Sequence, residues 1–397
     1  MTTVQEKLST LRDELLATHF ERHDEVDITL NSLLIGEHVV YIGPPGTAKS
    51  MLARSVCSAI TGADYGEHLF TKFTTPEEFL GPISVQGLKE DAYRRVTKEK
   101  LPEKHIYFAD EVFKANSASL NELLPIMNER VFFNDGKAVP VPLVMLIAAS
   151  NELPSDREEL SAMFDRFLFR KAVDYIHEDT NFVKMLMLSD GFKASDPITF
   201  DELKEAQAAV AAIQLSQDNI DTIVAIRNEM NLDGMVVSDR RYKKATNVLK
   251  AAAYLAGRDY VDADDFSILK HVLWENPQNI REVERLILNR TNPTEREALE
   301  LIEMATEIRQ EMRVELRKFK AQGGDEQKIN RQGVEWFQKA KKLGKKSKEL
   351  EARTKASGKA LNKVEEARYF IAQVMTDVAN EALGMDTSAI ADMVKGS

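Results

Sequence analysis

The stretch that decides the fold is Val39-Val40-Tyr41-Ile42-Gly43-Pro44-Pro45-Gly46-Thr47-Ala48-Lys49-Ser50. Four apolar, β-branched-rich residues read as a buried strand. A Gly/Pro-rich turn follows, and then a segment with helical spacing. Strand, glycine loop and helix in that order form the context of a phosphate-binding P-loop. The glycines let backbone N–H groups converge on a phosphate, and the helix N-terminus adds positive potential. Lys49 would reach the β- and γ-phosphates, and the Ser50 hydroxyl would ligate Mg²⁺. The general pattern has glycine where this chain has Ala48, a residue still small enough for close approach. The bland alternative, a Gly/Pro turn with an accidental lysine, does not explain the strand in front of it.

Further along, His105-Ile106-Tyr107-Phe108-Ala109-Asp110-Glu111 delivers two adjacent acids at the end of an apolar run. Ligands bind at such carboxyl ends in open α/β sheets. Asp110 fits the acid that holds the Mg²⁺ shell, and Glu111 the group that polarises an attacking water. Ala148-Ala149-Ser150-Asn151 ends another apolar run, and the Asn151 amide could orient that water. A turn-forming asparagine is its plain structural alternative. In Phe164-Asp165-Arg166-Phe167 an arginine sits among apolar residues. It is either a guanidinium delivered across a subunit interface or a local Asp/Arg pair at a strand start. Ser238-Asp239-Arg240-Arg241 reads as a helix N-terminus from which an arginine could reach nucleotide, or as a capped helix with solvated cations.

Apolar runs at His68–Phe73, Ile106–Ala109, Val144–Ala149 and Phe167–Ala172 alternate with helical stretches. That alternation predicts a parallel sheet covered on both faces and ending near residue 175. Ahead of it, residues 1–22 read as an amphipathic helix carrying Val4, Leu8, Leu11, Leu15 and Leu16. Residues 176–275 read as wholly helical, with a capping box at Thr199–Glu202 and with Gly234 and Gly257 as punctuation. Beyond Pro277, Leu301, Met304, Ile308, Met312, Leu316 and Phe319 form the stripe of a long helix broken at Gly323-Gly324. A second helix carries Trp336 and Phe337. A third, over 359–383, carries Leu361, Val364, Ile371, Val374 and Val378. No period of 20–50 residues repeats, which excludes a solenoid reading.

With 397 residues, two or three domains are expected. A composition 43% hydrophobic and 29% charged excludes a disordered chain. The single cysteine, Cys57, excludes an intramolecular disulfide framework and CxxC zinc sites. No 18-residue apolar run and no signal-like N-terminus occur, so the chain reads as cytoplasmic with no membrane span. The net charge of −11 is unevenly held. Residues 1–275 hold 30 basic and 44 acidic residues, whereas 276–397 hold 23 and 20. Residues 339–363 alone hold ten Lys/Arg against Glu349 and Glu351. This is the solvated face of a helix or, alternatively, a surface for an anionic partner. It lacks an aromatic platform beyond Trp336 and Phe337, which tells against nucleic acid.

Five motifs in this order resemble the AAA+ ATPases and, within them, the MoxR family. GPPGTAKS, the FADE run, ASNELP, FDRF and SDRRY look like Walker A, Walker B, sensor 1, arginine finger and sensor 2. Phe73–Pro82 and Leu124–Arg130 look like the RavA branch. The resemblance covers about residues 5–275. It implies an α/β fold, a P-loop AAA+ αβα sandwich over 1–175 with a helix-2 insert near 76–100. An all-α lid over 176–275 and an all-α C-terminal extension over 276–397, a helix bundle or hairpin, would follow. RavA proteins carry a small β-rich domain among their C-terminal helices, but 320–397 shows no alternating strand pattern. The implied activity is ATP hydrolysis with Mg²⁺ in a homo-oligomeric ring, usually a hexamer. Gly43, Pro44, Pro45, Gly46, Thr47, Ala48, Lys49, Ser50 and Asp110 would bind the nucleotide, with Ser50 and Asp110 holding Mg²⁺. Glu111 and Asn151 would act on the water. Arg166 would act on the neighbouring subunit's site, and Arg240 either from the lid or in trans. Arg241 is the alternative sensor 2 arginine and nucleotide ligand. The implied work is chaperone-like maturation of a client together with a von Willebrand factor A (vWA) domain protein. The other readings are a nucleic-acid motor using 339–363 and an ATP-gated scaffold with little turnover.

Overall fold

The computed structural model describes residues 3–153, 158–188, 191–322, 326–356 and 362–385. Two compact units divide the chain, Met1–Glu284 and Arg285–Ser397.

The first unit begins with α1 (Val4–Thr18) and α2 (His23–Ile35). Thr3 and Glu6 form a capping box at the start of α1. The helix is shorter than the sequence pattern predicts, because His19 leaves helical geometry with φ −115° and ψ 81°. β1 (Val39–Ile42) leads into α3 (Lys49–Ser58), β2 (Ile60–Thr61) and β3 (Tyr65–Leu69). Two one-turn helices, α4 (Pro76–Leu80) and α5 (Val85–Lys89), precede β4 (Ile106–Asp110). Then come α6 (Ser117–Glu129), β5 (Val131–Asn134), β6 (Lys137–Pro140), β7 (Met145–Ser150), α7 (Glu158–Arg166) and β8 (Phe169–Ala172).

β3-β4-β7-β1-β8 lie side by side in one sheet, and every pairing in it is parallel. Val39 pairs with Ile147 on one side of β1 and with Phe169 on the other. β7 is buried throughout, and β1 and β4 are buried at all but their last residue, as a parallel sheet covered by helices requires. The strand expected over His68–Phe73 lies instead at Tyr65–Leu69. β3 is an edge strand with alternate exposure, so it lacks a continuous apolar run. The apolar signal belongs to Phe70, which is buried against Phe79 just beyond the strand. Similarly, Phe167 and Leu168 are core residues of the connection into β8 rather than part of it. β5 and β6 pair as an antiparallel hairpin, which the sequence reading did not anticipate. Its Asp135-Gly136 turn, with both residues at positive φ, is a strong hairpin signal.

Past α8 (Asp179–Leu186), β9 (Ile198–Thr199) pairs in parallel with β2. Four helical segments follow: α9 (Phe200–Ala212), α10 (Gln217–Leu232), α11 (Asp239–Leu255) and a 3₁₀ segment at Ala263–His271. Thr199 and Glu202 close the expected capping box. α12 (Ile280–Thr291) contains the unit boundary.

In the second unit α13 (Pro293–Gln322), α14 (Glu326–Ala356) and α15 (Asn362–Asp377) share one core, and α15 continues into a π-helical turn at Val378–Ala382. Leu301, Ile308, Met312, Leu316, Trp336, Leu343, Leu350, Val364, Ile371 and Val374 fill it. Ala305 occupies the core position expected for Met304, which is 43% exposed. The Gly323-Gly324 break and Leu361 lie outside the described residues. Among the described residues after 276 there is no strand. Among the described residues no helix is long and apolar enough to cross a membrane.

Candidate nucleotide site

The carboxyl ends of β1, β4 and β7 open onto a cleft of about 1060 Å³ lined by Pro45–Met51, Asp110, Glu111 and Asn151, among others. Strand order explains the convergence, because the neighbours β4, β7 and β1 end side by side. The loop after β1 turns on glycine for a steric reason. A Cβ on Gly43 would lie 2.0 Å from the Val173 carbonyl oxygen. Gly43 N–H donates to the Ser150 carbonyl at 2.9 Å, tying the loop to β7. Ala48 adopts a φ of 64°, a left-handed conformation in which glycine would be unstrained. α3 starts at the next residue, so its unpaired N–H groups face the loop.

The Lys49 ammonium donates to the carbonyls of Gly43 and Pro44, both at 2.8 Å. Burial lowers its pKa, although Asp110 and Glu111 pull the other way. Asp110 is held above the usual carboxylate range, first by burial and then by the neighbouring Glu111 charge, with Lys49 opposing. Ser50 lines the same wall, so the Ser50 and Asp110 oxygens fit a divalent cation accompanying a phosphate. Glu111 takes a φ of 54° at the strand end. Asn151 Nδ2 donates to Glu111 Oε1 at 2.5 Å, and the Lys114 ammonium lies 3.3 Å from Glu111 Oε2. The carboxylate is therefore fixed by groups on β7 and on the turn after β4.

The three arginines singled out in the sequence do not line this cleft. Arg166 ends α7 and pairs with Asp165 at 3.3 Å. Arg240 is exposed on the first turn of α11, with Nη2 3.4 Å from Asn128 Oδ1 at the end of α6. Arg241 is buried, its guanidinium turned to backbone carbonyls. In the second unit, Lys339, Lys341, Lys342, Lys345 and Lys346 are exposed on α14.

Sequence reasoning missed the opposite wall. Arg22 is buried and donates to the carbonyls of Thr47 at 3.3 Å and Asp174 at 2.6 Å, bracing the glycine loop against the end of β8. The Glu21 carboxylate accepts from His177 N–H at 2.8 Å, Glu178 N–H at 2.9 Å and Asn181 Nδ2 at 3.1 Å. Burial opposes its ionisation, but these donors outweigh burial and lower its pKa. Glu21 thereby caps α8, whose Phe182 and Met185 face the cleft beside Tyr175 and Ile176. These apolar walls suit a planar base. The only sequence hint was the Glu21-Arg22 pair interrupting an amphipathic helix.

A parallel αβα core with a glycine loop at the sheet's carboxyl end, followed by a helical lid, is an AAA+ fold. A family model described as the MoxR domain in the MoxR–vWA–β-propeller ternary systems matches residues 6–217, and the AAA lid domain matches 218–287. The chain belongs to the MoxR family of AAA+ ATPases. An uncharacterized protein of Methanocaldococcus jannaschii is 40% identical over 314 residues, 79% of this chain and 82% of the relative. The chaperone MoxR1 of Mycobacterium tuberculosis is 30% identical over 155 residues, 38% of this chain and 40% of its own length. The solved structure of a candidate ATPase from Cytophaga hutchinsonii has the same fold, with a TM-score of 0.59 at 19% identity over 73% of this chain and 95% of that one. The matched family model names the ternary-system MoxR domain rather than the RavA branch.

Proposed function

We propose that this chain hydrolyses ATP with Mg²⁺ and couples turnover to chaperone-like remodelling of a partner protein. The observation that carries this reading is the convergence of Lys49, Ser50, Asp110, Glu111 and Asn151 on one cleft. The glycine loop and Lys49 bind the phosphates, and Ser50 and Asp110 hold the metal ion, which neutralises charge on the phosphates when bound. Glu111, fixed by Asn151, takes the proton of the attacking water. Arg166 and Arg240, which do not line this cleft, serve the site of a neighbouring copy. On this reading the chain works as a homo-oligomeric ring in the cytoplasm, with a hexamer as the family's usual size. The ternary systems named by the matched family model support a vWA-domain protein as partner.

Steady-state hydrolysis and calorimetry with ATP·Mg²⁺ test the reading. Wild-type protein should bind and turn over ATP, and Lys49→Ala should lose both. Equal ATP affinity in the Lys49→Ala protein would overturn the site assignment. Co-purification from cells, with and without ATP, tests the vWA partner.

A further inference from the structure

Two guanidinium groups lie deep in the first unit, where α11 meets the connection between α7 and β8. Arg170 is fully buried and Arg241 is 3% exposed. Arg241 Nη1 donates to the carbonyls of Leu168 at 2.8 Å and Val272 at 2.9 Å. Its Nη2 donates to the carbonyls of Phe167 at 3.1 Å and Asp165 at 3.2 Å, and to Asp165 Oδ1 at 3.4 Å. Arg170 Nη1 donates to the Trp274 carbonyl at 2.6 Å and to Glu275 Oε2 at 2.7 Å. Arg170 Nη2 donates to the Phe164 carbonyl at 3.2 Å, with the guanidinium over the Phe164 ring. Glu275 also faces Arg241 Nε at 3.7 Å.

The residue between these carbonyls is Arg166. Arg241 holds the backbone on both sides of it, at Asp165 and at Phe167. It also holds Asp165, whose other oxygen pairs with Arg166 at 3.3 Å. A planar fork with five donors can engage several acceptors at once, whereas an ammonium on a flexible stem cannot reproduce that geometry. Buried carbonyls that lost these donors would be left unsatisfied, so the connection would shift to find others.

We infer that Arg241 is a positioning residue of the lid that sets where Arg166 stands, rather than a ligand of the nucleotide. Movement of α11 is thereby transmitted to Arg166 through the carbonyls flanking it. The inference rests on the proposed role of Arg166 in hydrolysis, and it places Arg241 one step behind that residue.

The test uses the full chain and five variants: Arg166→Ala, Arg241→Lys, the double variant of these two, Asp165→Asn, which loosens the same arrangement from its half-exposed side, and Asp165→Asn combined with Arg166→Ala. Arg241→Lys should bind ATP within about two-fold of wild type while kcat falls about 10²-fold, the size of loss that a small misplacement of a catalytic group produces. The double variant should be no slower than Arg166→Ala alone, because Arg241 acts through Arg166. Weakened ATP binding with unchanged kcat, or multiplicative losses in the double variant, would overturn the inference. If Arg241→Lys does not fold, Asp165→Asn carries the same comparison, with the same non-additivity expected and the same multiplicative outcome fatal. Wild-type turnover in Arg166→Ala would instead remove the proposed role of Arg166. Hydrogen exchange over residues 164–169 then decides the positioning claim. Faster exchange in Arg241→Lys upholds the hold on the connection, and unchanged exchange refutes it.

Discussion

The two units use charge in opposite ways. In residues 1–284, Arg22, Arg170 and Arg241 are buried, and Asp24 pairs with Lys171, Lys270 and His271. In residues 285–397 the core is apolar around Trp336, and most charges ride the outer faces of the helices. Glu351, paired with Lys355 and Arg368, is the buried acid there among the described residues. A buried charge holds its partners in one arrangement, because leaving either alone is strongly destabilising. An exposed charge holds nothing in place. Changes in the first unit should therefore alter chemistry or its pH response, and changes in the second should alter stability alone.

The sharpest test is Glu111→Gln. It should lower kcat by about 10²–10⁴-fold with ATP binding retained, measured by turnover and by calorimetry. Normal turnover would remove the catalytic distinction of the first unit. Next, Trp336→Ala should destabilise the second unit by about 3–5 kcal/mol in chemical denaturation. ATP affinity should be unchanged, and a loss of affinity would break the comparison.

Acid should separate the units further. All seven histidines lie in the first unit. Burial lowers the pKa of His271 to about 4, against the pull of Asp24, and it lowers His19 and His38 as well. An imidazole kept neutral in the folded state but protonated when unfolded favours unfolding as the pH drops. The first unit should therefore lose stability between about pH 6.5 and pH 4, by at most about 3 kcal/mol from His271. Glu25 and Asp265, whose pKa values burial raises, offset part of that loss at the acid end. Thermal unfolding followed across that range should show the second unit's transition staying put in the window above the carboxylate pKa values. The smallest effect is expected on α14. Replacing Lys341, Lys342, Lys345 and Lys346 together with Gln should shift stability by roughly 0.5 kcal/mol or less per residue and leave turnover alone. Lost turnover would show that this face takes part in the first unit's work.

The glycine loop, the paired acids and Asn151 were legible because each sits at the end of a short apolar run, and a parallel sheet brings such ends together. Glu21 and Arg22 were not. Their partners lie about 150 residues downstream, and nothing in the local pattern of either segment encodes that meeting. β3 was misplaced because an edge strand need not be apolar on both faces. β9 was invisible because two residues are too few to show any period. Arg241 was readable as a helix-start cation, but its burial depends on carbonyls from the α7–β8 connection and from Val272, which no local motif marks.

That two-residue pairing has a mechanical meaning. α3 begins at Lys49 beside the phosphate loop and ends at Ser58, two residues before β2 meets β9. Ten residues at about 1.5 Å each make a rod of roughly 15 Å. One end rests where nucleotide would sit, and the other is bonded to the strand that opens α9. A tilt of a few degrees at the first end becomes an ångström-scale displacement at the second. The polypeptide has in effect a push-rod laid against its sheet, with Met51 and Arg54 on the solvent side, joining the site of chemistry to the strand that opens α9.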